Sequence, residues 1–335
     1  MIATSAPGKL FLIGEYAVLE GAPALLTAVD RRVHVHLSEA TEPYWRITTS
    51  NLGLHDYTLG RHGELPQSAD TATQSKLAVF DAVRQTIAAE TSLPAMPLSI
   101  HIDADAFSRH GHKLGLGSSA AVTAALGLAL AEHAGLSLSR AQLTALMIKA
   151  HRRAQNGTGS GGDVAASVYG GIISYTRDHA PVPLDWPASL AGLAVVTGSG
   201  ASTVDLVARV QALSEHDPQT YATEMGRLHE LAQTAADALA DGHAFMQRAG
   251  DYFDALRRLD AHADAGIVTA RHLELHALAQ RNGGLFKSCG AGGGDIGLLF
   301  VERGAREQAV RRAFRDAGAD ILPLDFGAPG VRCET

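Results

Sequence analysis

The chain has 335 residues, 46% hydrophobic and 19% charged, with a formal net charge of −7 and two cysteines. This is the composition of a globular enzyme with one large or two ordinary domains, and acidity without a basic stripe excludes a nucleic-acid binder. Cys289 and Cys333 cannot build a disulfide framework, Met1–Pro7 lack a basic segment leading into an apolar one, and no uncharged apolar run is long enough to cross a bilayer, so a cytoplasmic chain with no membrane contact is expected.

In chain order, branched and apolar content predicts strands at Leu10–Ile13, Arg32–Leu37, Trp45–Thr49 and Leu98–Ile102. Helical spacing predicts Gln74–Glu90, Ser118–Ala134 and Ser139–Ala154, the last with Ser139 as N-cap. Gly170–Tyr175 reads as a strand. The stretch from Arg177 to Pro187, with three prolines, reads as a boundary between domains. Beyond it come a strand at Leu193–Thr197, helices near Ser202–Leu213, Tyr221–Leu239, Gly242–Leu259 and Ile267–Arg281, a strand at Ile296–Val301, a helix at Ala305–Ala317 and a strand at Ile321–Leu324. Repeats and low-complexity segments are lacking, and the mixture is α+β.

The segment Lys113-Leu114-Gly115-Leu116-Gly117-Ser118-Ser119-Ala120-Ala121 sets two glycines and two serines at the mouth of a long apolar helix. The glycines permit close backbone approach, and the first helical amides, lacking internal partners, sit where phosphate oxygens are favoured. No Gly-Lys-Ser/Thr closes the segment, so it is not a Walker A loop. The spacing Gly115-x-Gly117-x-x-Ala120 fits a relaxed dinucleotide fingerprint. However, the approach Phe107–Lys113 is polar rather than an apolar strand, and no ribose-binding acid follows near Leu136–Arg140.

Two more glycine segments strengthen the phosphate reading. Ala6-Pro7-Gly8-Lys9-Leu10-Phe11-Leu12-Ile13-Gly14-Glu15-Tyr16 places a lysine before a short apolar strand. Lys287-Ser288-Cys289-Gly290-Ala291-Gly292-Gly293-Gly294-Asp295 precedes another. Glycine runs of this density mark places where backbone comes very near something else. The sixteen histidines raise a metal site, but His272-Leu273-Glu274-Leu275-His276 is not a His-Glu-x-x-His arrangement and reads as a helix surface; His34-x-His36 and His110-x-His112 lack companions.

With these three segments in this order, spaced over nearly the whole chain, the sequence resembles the GHMP kinase superfamily of small-molecule kinases. The resemblance implies an α+β, two-domain fold, with an ATP-binding N-terminal domain over 1–178, a C-terminal domain over 179–335 and the active site in the cleft between them. Four details resemble its phosphomevalonate kinase branch: Gly14–Leu19 with Tyr16 where mevalonate kinases usually carry histidine, Ala150–Gly157 leading to Gly159–Ala166, Thr197–Thr203, and the aspartate closing Gly290–Asp295. Mevalonate kinases also carry a metal-binding glutamate about eleven residues before their catalytic aspartate; here that position is Arg152, and no acid lies between Lys149 and Asp163.

By this resemblance Gly115, Leu116, Gly117, Ser118, Ser119 and Ala120 hold the phosphates of ATP, and Ser118 and Ser119 also reach Mg2+. Asp163 is the base or orienting group for the attacking oxygen. Lys9 keeps that carboxylate ionised and stabilises the moving phosphoryl group. Tyr16, Ser160, Ser202, Thr203, Lys287, Gly292 and Gly293 face a small-molecule phosphorylated acceptor, 5-phosphomevalonate, with Arg152 and Arg153 as further cations near it. Cys289 reads as structural. The alternatives are mevalonate or another small-molecule acceptor, a decarboxylating relative, or a homologue that binds nucleotide without turnover. A homodimer is compatible with the resemblance; nucleic-acid and membrane partners are not expected.

Overall fold

The computed structural model describes all residues except 92, 94, 95, 199, 201 and 335. In the N-terminal part, strands β1 (Ile2–Ile13), β2 (Ala24–Glu39), β3 (Arg46–Thr49) and β4 (Leu54–Thr58) precede helix α1 (Thr71–Glu90) and strand β5 (Leu98–Asp103). A small hairpin, β6 (Ser108–Arg109) and β7 (His112–Lys113), leads into helices α2 (Ser118–His133), α3 (Arg140–Ala154) and α4 (Gly162–Tyr169), followed by β8 (Ile172–Tyr175) and β9 (Val182–Leu184). The C-terminal part contains β10 (Leu190–Val196), helices α5 (Thr203–His216), α6 (Pro218–Gln233), α7 (Ala235–Ala238), α8 (Gly242–Ala263) and α9 (Ala270–Arg281), strands β11 (Gly284–Ser288) and β12 (Ile296–Glu302), α10 (Ala305–Asp316), β13 (Asp320–Leu322) and β14 (Arg332–Cys333).

Two sheets organise these elements. The larger runs β14-β1-β2-β5-β3-β4, with β8 beside β2 and β9 beside β8; the smaller runs β11-β12-β10-β13. The α+β expectation holds. Strand β2 is far longer than its predicted core Arg32–Leu37. Its first half pairs with β8 and its second half with β5, while β1 follows it throughout with a register shift at Pro7/Gly8. A proline cannot donate to a ladder, and that irregularity lets Pro7 sit within a strand. The expected boundary at 178/179 falls within the β8–β9 hairpin, and the last strand, β14, returns to pair with β1.

Helix α2 is apolar around most of its circumference because it lies between β1, β2 and helices α1, α3 and α4. Small residues permit this: a Cβ on Gly127 would collide with the Met147 side chain of α3. Ser139 caps α3 in a full capping box with Gln142. The helix expected over Tyr221–Leu239 breaks at Thr234, between α6 and α7.

Candidate active site

The phosphate-loop candidate is built on β1. Gly115 and Gly117 adopt left-handed φ of 67° and 77°, and Gly117 precedes the first turn of α2 with no side chain capping it. The amides of Ser118, Ser119 and Ala120 therefore point out of the helix start. Lys9 N–H donates to the Leu116 carbonyl at 2.9 Å. A Cβ at position 117 would lie 2.7 Å from Lys9 Cε, and one at position 8 would lie 2.9 Å from the Leu116 carbonyl oxygen. Glycine is thus required at both places, and the aliphatic stem of Lys9 runs along Gly117. Its ammonium lies 5.2 Å from the centre of the Phe11 ring.

The third glycine segment is tied to the first from behind. Lys287 Nζ donates to Glu15 Oε1 at 2.5 Å and to the Ser288 carbonyl at 2.7 Å. Both side chains are buried, at 0% and 2% exposure. Tyr16 hydroxyl donates to the Ala291 carbonyl at 2.6 Å, the Cys289 thiol donates to the Phe11 carbonyl at 3.3 Å, and Tyr252 hydroxyl donates to the Glu15 carbonyl at 2.6 Å. Gly293 N–H donates to the Ile267 carbonyl at 2.9 Å, and a Cβ on Gly292 would strike that carbonyl. Ile267 is itself fixed by Asp260, whose carboxylate accepts from the amides of Gly266, Ile267 and Val268 at 2.7–2.8 Å.

Asp163 lies half-buried in the first turn of α4, where the cap position is Gly161 rather than the aspartate. Its Oδ1 accepts from Val164 N–H at 3.1 Å. The loop before it is held by the Ser160 carbonyl, which accepts from Tyr175 hydroxyl at 2.8 Å and from Arg152 at 2.8 Å. Ser160 Oγ is turned back onto Gly162 N–H at 3.2 Å. Helices α2 and α4 both pack on β1, the strand that carries Lys9.

Asp295 joins the second and third segments. A Cβ on Gly115 would lie 2.9 Å from Asp295 Cβ, and one on Gly200 would collide with its carboxylate; its own carbonyl accepts from Thr197 N–H at 2.9 Å. Burial raises the pKa of Asp295, opposed by Lys113 and Lys9.

The structure revises several expected contacts. Lys287 is wholly buried and engaged by Glu15, which removes it from the acceptor-facing set. The Tyr16 hydroxyl is committed to the glycine loop, and burial raises its pKa. Arg152 braces backbone carbonyls of Gly159 and Ser160, and Arg153 is exposed. Ser202 caps α5 by accepting from Asp205 N–H, with Thr203 exposed beside it; Ser199 and Ala201 of the same loop lie outside the described residues.

His272 and His276 are buried rather than on a helix surface. His276 Nδ1 lies 2.6 Å from the Phe286 carbonyl and His272 Nε2 lies 3.2 Å from Thr197 Oγ1. Burial, aided by Lys287, pushes the His272 pKa down to about 4. Burial also raises the Cys289 thiol to about 11.

Glu15, His151, Asp260 and Tyr252 were not among the expected site residues. Glu15 carried a usable signal, since an acid amid the apolar run Leu10–Val18 requires a buried cation. Asp260 carried none, because its acceptor role depends on how the chain turns six to eight residues later.

The donor set fits a nucleotide with magnesium. Magnesium is a hard cation that prefers oxygen ligands and is commonly shared with substrate phosphates. Ser118 and Ser119 supply hydroxyls at the helix start. Among the described residues there is no group of three His, Cys, Asp or Glu side chains able to form a cage by itself.

Residues 78–171 match the family model of the GHMP kinases N terminal domain. The chain is 31% identical to the phosphomevalonate kinase of Streptomyces sp. strain CL190, with 98% of each chain covered. It is 28% identical to the mevalonate kinase of Pyrococcus furiosus, over 99% of this chain and 98% of that one. The fold matches the Streptococcus pneumoniae phosphomevalonate kinase solved in complex with phosphomevalonate and AMPPNP, with a TM-score of 0.81 and 20% identity over 97% of this chain and 100% of that one. The chain belongs to the GHMP kinases, and it is a phosphotransferase.

Proposed function

We propose that this chain transfers the γ-phosphoryl group of ATP to the phosphate of 5-phosphomevalonate, yielding 5-diphosphomevalonate and ADP. The observation that carries transfer from a nucleotide is the meeting of three glycine segments around Lys9, in front of the free amides of α2. The choice of acceptor is supported by the Streptomyces relative and by the AMPPNP and phosphomevalonate complex of the Streptococcus protein.

Phosphoryl transfer asks a protein chiefly for position and charge. In this reading an oxygen of the acceptor phosphate attacks the γ-phosphorus, the bond from that phosphorus to the bridging oxygen breaks, and ADP departs with the electron pair. The amides of residues 118–120 hold the nucleotide phosphates, while Lys9 offsets negative charge on the group in flight. When bound, magnesium would be held by the Ser118 and Ser119 hydroxyls and would neutralise part of the charge on the nucleotide phosphates. A phosphate monoester loses its second proton near pH 6, so at neutral pH the attacking oxygen bears no proton. Asp163 then orients the acceptor instead of acting as an obligatory base.

The matches to mevalonate kinases support a second reading, transfer to the hydroxyl of mevalonate, in which Asp163 must remove a proton. Pure protein incubated with ATP, magnesium and each acceptor separates the two by ADP release and product mass. Turnover of phosphomevalonate is expected. Turnover of mevalonate alone would replace the first reading by the second.

A further inference from the structure

His151 lies near the end of α3 with 3% exposure, and its Nε2 is 3.0 Å from Ser119 Oγ. Gln155, one turn later, brings its side-chain amide nitrogen to 3.3 Å from the same ring nitrogen. With the amide nitrogen of Gln155 as the donor, this geometry makes Nε2 the acceptor. The Ser119 hydroxyl then donates to it as well, and the lone pairs of Oγ turn away from the ring. The backbone of Ser119 is fixed independently, because its carbonyl accepts from Thr123 Oγ1 at 2.7 Å.

A serine hydroxyl left free rotates to suit its neighbours and can donate to a phosphate as readily as it accepts from another donor. A hard cation needs the lone pairs and gains nothing from the proton. With no acid between Lys149 and Asp163, α3 offers no carboxylate to fix that choice.

We propose that His151 is a positioning residue of the nucleotide site: it takes the Ser119 hydroxyl proton in a hydrogen bond and thereby commits Ser119 Oγ to the metal that accompanies the nucleotide. This rests on the kinase reading above. Its consequence is specific to the metal and independent of the acceptor. Losing the imidazole raises the magnesium requirement and leaves metal-free nucleotide binding nearly unchanged.

Calorimetric titration of AMPPNP across a magnesium series tests this on wild type, His151→Leu, His151→Gln, Ser119→Ala and the Ser119→Ala/His151→Leu double variant. His151→Leu is expected to raise the magnesium concentration for half-maximal binding about tenfold, the order of one lost hydrogen bond to a metal ligand, with metal-free affinity within about twofold. Ser119→Ala should raise the magnesium requirement to a similar extent, and the double variant should need no more magnesium than the poorer single, since the two groups act as one unit. His151→Gln places a carbonyl oxygen where Nε2 was and should return within about threefold of wild type. An unmoved magnesium requirement, losses that multiply in the double variant, or a Gln variant no better than Leu would overturn the inference. Should His151→Leu fail to show a cooperative melt, His151→Asn, whose acceptor is too short to reach Ser119, takes its place. A wild type that binds no AMPPNP with or without magnesium overturns the kinase reading too, so the two failures remain distinguishable.

Discussion

Replacing Lys287 by methionine should leave a carboxylate buried without its counter-ion, and the cost follows from the site. Glu15 and Lys287 are 2.5 Å apart with side chains 2% and 0% exposed, and Glu15 Oε2 already has no hydrogen-bond partner. Removing one member of such a pair typically costs about 3–5 kcal/mol, because the remaining charge has no compensation. At about 2.1 cal/mol/K of unfolding entropy per residue, 335 residues give about 0.7 kcal/mol/K. Lys287→Met, and likewise Glu15→Leu, should therefore lower the melting temperature by about 4–7 °C. The double variant carries no buried charge and should melt much closer to wild type, because an apolar pair of similar volume is often neutral or better. Differential scanning calorimetry of the four proteins at one pH measures this. Two singles each within about 1 °C of wild type, or a double variant showing the sum of both losses, would refute the claim that the two charges depend on one another.

Gly117→Ala should keep the fold by circular dichroism yet lower kcat on the order of 100-fold, the scale of a 1 Å misplacement, because the new methyl displaces Lys9 Cε and strains a φ of 77°. With a phosphate acceptor, Asp163→Asn should retain more than about 1% of wild-type kcat at pH 7.5, whereas a loss beyond about 10³-fold would point to proton removal from a hydroxyl. Alkylation with iodoacetamide at pH 8, followed by peptide mass mapping, should label exposed Cys333 well before Cys289, whose thiol is lifted to about 11 by burial. His272 is held neutral with a pKa of about 4, so the unfolded chain takes its proton first as pH falls below about 6.5. Stability is then lost between about pH 6.5 and 4, by about 3 kcal/mol at the lower end, and thermal melts of His272→Gln over that range should lack this share of the slope.

How much of this could be read in advance depended on whether a signal was local. Ser139 as the cap of α3 and the start of α2 at Ser118 were legible because the capping box and glycine chemistry act within a few residues. Of the strands the sequence pattern did not predict, which include β6, β7, β9 and β14, two are instructive, β4 and β11. The first, Leu54–Thr58, has the mostly exposed sequence Leu-His-Asp-Tyr-Thr, and the second hides a buried lysine among its apolar residues. His272 and His276 read as a helix surface because they do not form a His-Glu-x-x-His arrangement; their burial beside Thr197 and Phe286 involves partners that only the tertiary fold supplies. Lys287 failed for the same reason. A lysine before a glycine loop resembles a phosphate ligand until Glu15, 272 positions away, claims it.

The residues that join the glycine segments share a property that explains why those segments must be so rich in glycine. The phosphate loop, the first segment and the third are fastened largely through backbone carbonyls: Leu116 to Lys9, Ala291 to Tyr16, Phe11 to Cys289 and Ile267 to Gly293. Such fastening requires main chains within hydrogen-bond range of one another or of a neighbouring side chain, which a Cβ at 8, 117 or 292 would prevent. Among the described residues, the same closeness leaves the amides of α2 and the Lys9 ammonium among the polar groups not consumed by the scaffold. A reaction that needs little beyond fixed positive charge and amide donors is therefore served by a framework whose own polar groups are mostly engaged. Side chains that hold the frame, Glu15, Tyr16, Asp260 and Lys287, are expected to affect stability and loop placement. Lys9, Ser118, Ser119 and Asp163 should affect turnover with the melt unchanged, and that split can be measured residue by residue.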